Sequence, residues 1–514
     1  MITNEFNSIK VRTSQLLNEM SVGLYEREEV IALAFLSAIA GESIFMLGPP
    51  GVAKSMVARR LKHAFKDGKS FEYLMNRFST PDEIFGPVSI HKLSKEDKFE
   101  RLTDHYLPGA SVVFLDEIWK AGPSIQNALL TVINEKLYRN GEQEVKVKLQ
   151  GLLAASNELP ARGEGLEALW DRFLLRYYVY GIQEDDHFFD MITSTIPEDI
   201  ELDQNLQISV EELAHWDALI DEIEVPKEVR KVISVIRKYI KSYNTESQQK
   251  ANHDDIIYVS DRRWRKIIRL IRTSAFLNGR KEVDLMDCFV MMHCIWNNPV
   301  QMDLVARWVG EAIQKYGFST KFSLDALKNK IDEFQEEVEE ETKEAKTLNA
   351  YLPELFDERY YRISNFDSSF DRILKEDFEI LSGAITTMSL YNASSQSQKY
   401  SISKLAADEV EVSINNTYRR FKLKSSQQQR TGFVIRKISQ EKVAEFDQEA
   451  NQILNYLNEV AEQIADYRAS EKVVGSLFLN EQTQNLFHDS LNETLRVVLE
   501  RKLKIEKVKS SYRS

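Results

Sequence analysis

With 514 residues and a net charge of −13, the chain is too long for one ordinary core and too acidic for a protein whose whole surface meets nucleic-acid phosphates. Length alone predicts three or four domains at roughly 150 residues each. Only Cys288 and Cys294 are present, which excludes a disulfide framework and fits a reducing compartment, with the cytoplasm as the expectation.

Residues 1–10 are polar and lack the basic start and apolar centre of an export signal. The most apolar helical stretch, residues 30–40, is about half of the roughly 20 residues a membrane span needs, so it is predicted to be a core helix with no membrane insertion. From about residue 10 to 182, helical segments alternate with short apolar strands at 44–47, 71–74, 112–115, 152–155 and 174–180. Strands without polar alternation imply a largely parallel sheet covered on both faces. Two segments interrupt this alternation. Residues 88–102 carry apolar stretches around a charged turn at 94–98, and residues 137–149 place Asn140-Gly141 between arms in which Val145, Val147 and Leu149 alternate. Both are predicted hairpins.

Residues 184–298 have helical periodicity, with Pro226 near a helix start and a polar linker at 241–255. Beyond them, Leu324, Leu327, Ile331, Phe334 and Val338 recur at spacings of three and four, and Val443, Phe446, Ala450, Ile453, Leu454, Leu457 and Val460 repeat the pattern. The simplest arrangement pairs these stretches as an antiparallel helical arm. Residues 351–438, where Val410, Val412 and Ile414, then Phe433 and Ile435, alternate as in strands, form a small β-containing insert at its tip. The predicted divisions are 1–190 for an α/β unit, 191–300 for an all-α unit, 301–350 with 439–514 for the arm, and 351–438 for the insert.

The chemistry is concentrated where Gly48, Pro49, Pro50, Gly51, Val52, Ala53, Lys54 and Ser55 follow an apolar strand and lead, through Met56, into a helix. This is the setting of a phosphate-binding loop. Backbone N–H groups and the helix N-terminus surround the phosphates, Lys54 reaches the β and γ oxygens, and Ser55 holds Mg²⁺. Ala53 departs from the usual glycine before the lysine, so the loop has to accept a Cβ there. Asp116 and Glu117 end the apolar run 112–115, and paired acids at a buried strand end are costly unless a cation meets them. Asp116 would orient the metal and Glu117 would polarise the attacking water. Asn157 ends the fourth strand, where it either positions the water or makes a turn before Leu159-Pro160. Arg172, just before the last strand, is the candidate finger supplied in trans, with Arg176 second.

The order of these motifs resembles the AAA+ ATPases and, within them, the MoxR family. The resemblance runs from about residue 20 to 300 through Gly23-Leu24-Tyr25-Glu26-Arg27, the loop with Val52-Ala53, Phe78-Ser79-Thr80-Pro81-Asp82-Glu83, Leu115-Asp116-Glu117-Ile118-Trp119-Lys120-Ala121 and Ala155-Ser156-Asn157-Glu158-Leu159-Pro160. Segments such as Ser260-Asp261-Arg262-Arg263-Trp264 look most like the RavA subgroup. MoxR proteins commonly carry alanine at the Ala53 position. The resemblance implies an α/β AAA+ module with sheet order 5-1-4-3-2, a helix-2 insertion, a hairpin before sensor 1 and an all-α lid. It also implies ATP and Mg²⁺ as ligands, a ring that is commonly a homo-hexamer, and a von Willebrand A domain protein as partner. By position, Lys54 and Ser55 are the Walker A pair, Asp116 and Glu117 the Walker B pair, Asn157 sensor 1, Arg172 the finger, and Arg262 or its neighbour Arg263 sensor 2. The implied function is chaperone-like remodelling of a client held by residues 351–438. A nucleic-acid motor and a nucleotide-gated scaffold with little hydrolysis are the rivals.

Three signals are predicted to be structural. Cys288, His293 and Cys294 lie in an apolar helical segment without a fourth metal ligand, the acidic run 336–344 is a solvated helix face, and the basic stretch 501–509 complements a helix C-terminus.

Overall fold

A computed structural model describes the whole chain except residues 1, 67, 162, 164, 195–201, 251–254, 416, 471–474 and 514. The chain divides into two compact units, one of residues 1–331 with 452–504 and the other of residues 332–451 with 505–514.

The first unit is built on a five-stranded sheet: β1 (Ser43–Leu47), β2 (Ser70–Leu74), β3 (Val112–Asp116), β6 (Gly151–Ser156) and β7 (Leu175–Tyr178), in the order β2-β3-β6-β1-β7. Every pairing is parallel. Counted along the core strands alone this is 2-3-4-1-5, the predicted order read from the other edge. Every residue of β1 and β6 is buried, as a strand covered on both faces requires, whereas the edge strand β2 alternates between exposed and half-buried positions.

Helices α1 (Ile2–Ser21), α2 (Glu28–Ile39), α3 (Lys54–Lys62), α4 (Pro81–Phe85), α5 (Ile90–Glu96), α6 (Pro123–Glu135), α7 (Glu167–Trp170) and α8 (Asp185–Thr193) accompany the sheet. All of α2 from Val30 onward is buried, so the apolar run at 30–40 is a core helix as predicted. The second insertion is a hairpin, β4 (Leu137–Asn140) with β5 (Gln143–Lys146), turning at Asn140-Gly141. The first insertion differs from the reading of 88–102 as a hairpin. Its ends pair through one antiparallel bridge, Val88 with Arg101, but α5 fills the interior. Ser89 caps α5 by accepting from Lys92 N–H, so the charged stretch 94–98 finishes a helix, where a turn was predicted.

Helices α9 (Val210–Asp221), α10 (Lys227–Gln249) and α11 (Asp261–Leu277) form the helical part. Pro226 is the N-cap of α10, as its position suggested. The predicted polar linker at 241–255 is mostly helix, because α10 continues to Gln249 on a strongly one-sided apolar stripe; residues 251–254 lie outside the described residues. The chain returns to this unit late, where Tyr467 donates to Asp284 at 2.6 Å and Arg501 to the Leu324 carbonyl at 2.9 Å.

In the second unit Phe334 meets Phe446 edge-on at 6.0 Å, and Tyr512 donates to Asp447 at 3.0 Å. A two-stranded antiparallel ribbon, β8 (Lys343–Pro353) with β16 (Ser425–Ile435), leads to a seven-stranded antiparallel sheet. Its strands are β9 (Leu355–Phe356), β10 (Tyr360–Arg362), β11 (Arg372–Leu374), β12 (Thr386–Tyr391), β13 (Ser397–Ala406), β14 (Glu409–Ile414) and β15 (Thr417–Lys422). Ile373, Leu390, Ile402, Val410 and Val412 form its core, and a bridge from Ile363 to Leu423 curls the sheet on itself. The alternation at Val410 and Val412 is thus the inward face of β14.

Candidate functional site

Three stretches converge where the parallel strands of the sheet end. The loop Gly48 to Ser55 leaves β1, Asp116 and Glu117 finish β3, and Asn157 follows β6. Parallel neighbours force this convergence, since β1 and β6 run in register from Ser43 with Leu152 to Leu47 with Ser156. Crevices beyond the carboxyl ends of such strands are the general ligand position of open α/β sheets.

The loop has the local shape that phosphate binding needs. Ala53 is left-handed with φ of 62° and caps α3. This is a strained setting for a residue with a Cβ, and it turns the following amides toward the helix N-terminus. Gly48 is fixed by space, because a Cβ there would stand 2.4 Å from the Val179 carbonyl oxygen. Among the described residues the backbone N–H groups of residues 51–55 make no hydrogen bond within the chain, leaving a run of donors at a helix start, which is a nest for an anion.

Lys54 is buried, and its Nζ donates to Gly48 O at 2.5 Å, Pro49 O at 3.0 Å and Asn157 Oδ1 at 3.0 Å. Burial lowers the pKa of its ammonium, while Asp116 and Glu117 pull it back up. Asp116 accepts from the Glu117 N–H at 3.0 Å, and Glu117 adopts a left-handed φ of 50° directly after the strand. Its carboxylate accepts from Ser156 Oγ at 3.3 Å and lies 3.4 Å from Lys120 Nζ. The donor set therefore fits a nucleotide with a divalent cation: a cation, a helix-start nest, a hydroxyl at Ser55 and two carboxylates at one strand end. Met56 is the first residue past Ser55 in α3.

Arg27, quoted in the sequence motif without a role, proves to be a brace of this loop. It is buried, and its guanidinium donates to Val52 O at 3.1 Å, Glu26 O at 2.7 Å and Tyr180 O at 2.7 Å, tying the loop to the end of β7. Only its place at the end of the Gly23 to Arg27 motif, before an apolar helix, signalled it. Ser156, the hydroxyl facing Glu117, carried no signal beyond its place beside Asn157.

Arg172 and Arg262 are not brought to this loop. β7 starts at Leu175, opposite Ile44 at the start of β1, so Arg172 lies at the beginning of the strands and the loop at their end. The separation is one strand length, about 16 Å at ~3.3 Å per residue. Arg172 lies near Asp171, with Nη1 to Oδ2 at 3.4 Å, and its buried Nε has no hydrogen-bond partner. Arg262 is exposed and donates to Asn134 at 2.7 Å, near the end of α6. Four residues later Lys266 meets Glu42, immediately before β1. The start of α11 thus also faces the beginning of the strands.

The two alternates, Arg263 and Arg176, are excluded as free cations. Arg263 is buried and donates to the carbonyls of Cys294 at 2.8 Å, Asp171 at 3.0 Å, Phe173 at 2.9 Å and Leu174 at 2.9 Å. Arg176, the second finger candidate, is buried over the Trp170 ring at 3.9 Å and donates to Trp296 O and to Asn297 Oδ1 at 2.8 Å. Neither head group can swing out without stranding buried carbonyls. Arg263→Ala should therefore lower unfolding stability by at least about 3 kcal/mol in denaturant melts, since several acceptors lose their only charged donor. An unchanged melt would show that Arg263 does not staple the helices to the strand start.

Cys288 and Cys294 are buried free thiols, and burial pushes the Cys294 pKa up to about 12. Among the described residues no cluster of three His, Cys, Asp or Glu side chains could hold a metal ion. No described helix is long and apolar enough to cross a membrane.

Comparison with known proteins agrees with this geometry. The family described as the MoxR domain in MoxR–vWA–β-propeller ternary systems matches residues 10–217, and the AAA lid domain family matches residues 228–309. Two uncharacterised proteins of Methanocaldococcus jannaschii are both 35% identical, over 329 and 320 residues, covering 64% and 62% of this chain and 82% and 81% of their own. A structural protein of the Acidianus two-tailed virus is 29% identical over 184 residues, covering 35% of this chain and 30% of its own. A crystal structure described as a candidate ATPase of Cytophaga hutchinsonii aligns with a TM-score of 0.47 at 16% identity, covering 59% of this chain and 96% of that one. With a parallel sheet of matching order, a phosphate loop followed by paired acids, and a helical lid, the chain belongs to the MoxR family of AAA+ ATPases.

Proposed function

We propose that the chain hydrolyses ATP with Mg²⁺ at sites shared between copies in a ring, and couples turnover to remodelling a partner protein. The observation that carries this reading is the split of the machinery. Lys54, Asp116, Glu117 and Asn157 meet at one end of the sheet, while the two candidate arginines, Arg172 and Arg262, stand at the other. A cation that stabilises phosphoryl-transfer charge from a strand length away has to serve a neighbour's nucleotide. Repeating that contact head to tail closes a ring when the rotation allows, with a homo-hexamer as the expected number.

In this reading residues 48–56 hold the phosphates, and Ser55 with Asp116 holds Mg²⁺, which would neutralise charge on the transferred group. Glu117 takes the proton of the attacking water. Ser156 and Lys120, now on its carboxylate, hold it until nucleotide binding re-aims it. Asn157 orients that water, having exchanged Lys54 for it. Arg262 would act as sensor 2 in trans beside the Arg172 finger. A von Willebrand A domain protein suits the ternary systems named for the matching family, and residues 351–438 are the proposed client-binding domain, in a protein of the cytoplasm. The similarity to the RavA subgroup rests on the Glu117 to Ala121 and Ser260 to Trp264 segments.

The test is phosphate release by the purified chain with Mg²⁺ and ATP. Lys54→Ala should weaken nucleotide binding and lower turnover at least about 100-fold, as loss of a positioned charge on the transferred phosphoryl does. Turnover that survives Lys54→Ala would move the active site elsewhere.

A further inference from the structure

Among the described residues His293 belongs to no cluster that could hold a metal, yet its surroundings are not those of an inert core ring. It lies in the helical turn Met292–Ile295 of the lid and is buried. Its Nε2 is a buried atom without a hydrogen-bond partner, and so is Oε1 of Glu29, which stands 3.8 Å away. That separation exceeds hydrogen-bond reach by roughly half an ångström. Each unmet atom carries a desolvation cost that no bond recovers, so two of them facing one another need a reason.

The rest of the Glu29 carboxylate is pinned. Its Oε2 accepts from the Tyr177 hydroxyl at 2.9 Å and from Asn480 Nδ2 at 3.1 Å. Burial pushes the Tyr177 pKa up, which keeps the phenol a donor, and the Tyr177 ring lies 5.6 Å from that of His293. Burial lowers the His293 pKa while Glu29 pulls it back up, and the neutral ring still has one N–H to give. The Glu29 side of the gap is also built into the phosphate loop. Glu29 is in the first turn of α2, whose N-cap residue Arg27 donates to Val52 O in the loop and to Tyr180 O just past β7. Tyr177 is on β7, and Val179 beyond it donates to Leu47 O at 2.7 Å and leaves Gly48 no room for a Cβ. The loop, the end of β7 and the start of α2 are therefore one hydrogen-bonded piece. Lys54 donates to Gly48 O and Pro49 O within it. A phosphate in the nest competes for that ammonium and resets the stretch that Val179 backs.

We infer that Glu29 and His293 are the two halves of a latch: nucleotide binding shifts the loop piece across the gap, His293 Nε2–H donates to Glu29 Oε1, and the lid is fastened to the loaded loop. Both are positioning residues, since each acts through the loop and not on the nucleotide. The inference rests on the reading of residues 48–56 as a nucleotide site, and it names the contact by which the lid responds to that site.

The test is a double-variant cycle in the full chain, read by affinity for a non-hydrolysable ATP analogue with Mg²⁺ and by thermal unfolding without it. His293→Leu, of nearly equal volume, removes one unmet atom, so its unfolding midpoint should hold or rise. Its Kd for the analogue should nevertheless rise roughly tenfold, the worth of one charge-assisted hydrogen bond made only in the loaded form. In a Glu29→Gln background the same change should move Kd less than about twofold, because the partner is already lost. If His293→Leu does not fold at the assay temperature, Glu29→Gln decides by itself: it keeps acceptors for Tyr177 and Asn480, and its Kd should rise by a similar factor. Native affinity in either folded variant, or an equal loss from His293→Leu in both backgrounds, overturns the latch and leaves the loop as the nucleotide site. A native chain that binds no analogue overturns the nucleotide reading, and the latch with it.

Discussion

Glu117→Gln should bind ATP as tightly as the native chain and turn it over about 10²- to 10⁴-fold more slowly, the range a positioned general base contributes. The substitution is nearly isosteric, so the left-handed turn at Glu117 and its contact with Ser156 Oγ survive, and the Lys54 side of the site keeps its neighbours. What is lost is the capacity to accept a proton. Nucleotide affinity measured beside single-turnover hydrolysis separates the two effects. Native-like hydrolysis in the Gln variant would remove Glu117 from the chemistry.

Arg172→Ala should cost about 10³- to 10⁵-fold in turnover, the value of a finger supplied to a phosphoryl-transfer transition state. Folding stability should barely change. The Arg172 side chain makes one weak contact with Asp171, whereas Arg263 ties three carbonyls at the strand start to that of Cys294. The pair of variants is therefore diagnostic: loss at Arg172 should be catalytic, and loss at Arg263 should appear in the melt. A tenfold or smaller effect of Arg172→Ala on turnover, in protein that assembles, would assign the finger to another cation.

Much of this fold was legible because buried parallel strands have to be apolar throughout. β1, β3 and β6 could be read from Ile44, Val112 and Leu152 onward, and their parallel packing makes Lys54, Asp116, Glu117 and Asn157 converge without further instruction. The arm stripes were equally plain: Leu327, Ile331, Phe334 and Val338 are all buried at the predicted period. The insertion at 88–102 was misread for a physical reason. Short apolar stretches around charged residues fit either a hairpin or a helix of seven residues, and the Ser89 cap that decides for helix is a single side chain. The polar linker failed similarly, because Asn244, Thr245 and Ser247 disfavour helix only weakly while the buried face of α10 carries them.

The candidate arginines show the other boundary. Arg172, Arg176, Arg262 and Arg263 are chemically identical in the sequence, and burial separates the two that staple, Arg176 and Arg263, from the two proposed to serve a neighbour. Burial at those positions is set where Trp170 and Phe173 pack on Phe45, and Trp170 on Trp296, partners more than 100 residues away in sequence. No local pattern carries that information.

The central claim, that each ATP site takes its acids from one copy and its finger from the next, is tested most directly by mixing two inactive variants. Arg172→Ala chains keep Glu117, and Glu117→Gln chains keep Arg172. In randomly mixed one-to-one assemblies, about a quarter of the head-to-tail interfaces regain a complete set. Turnover should rise to about that fraction of the native rate, far above either variant alone. Mixed assemblies, verified by differential tagging, that hydrolyse no faster than the better of the two parents would contradict the shared site.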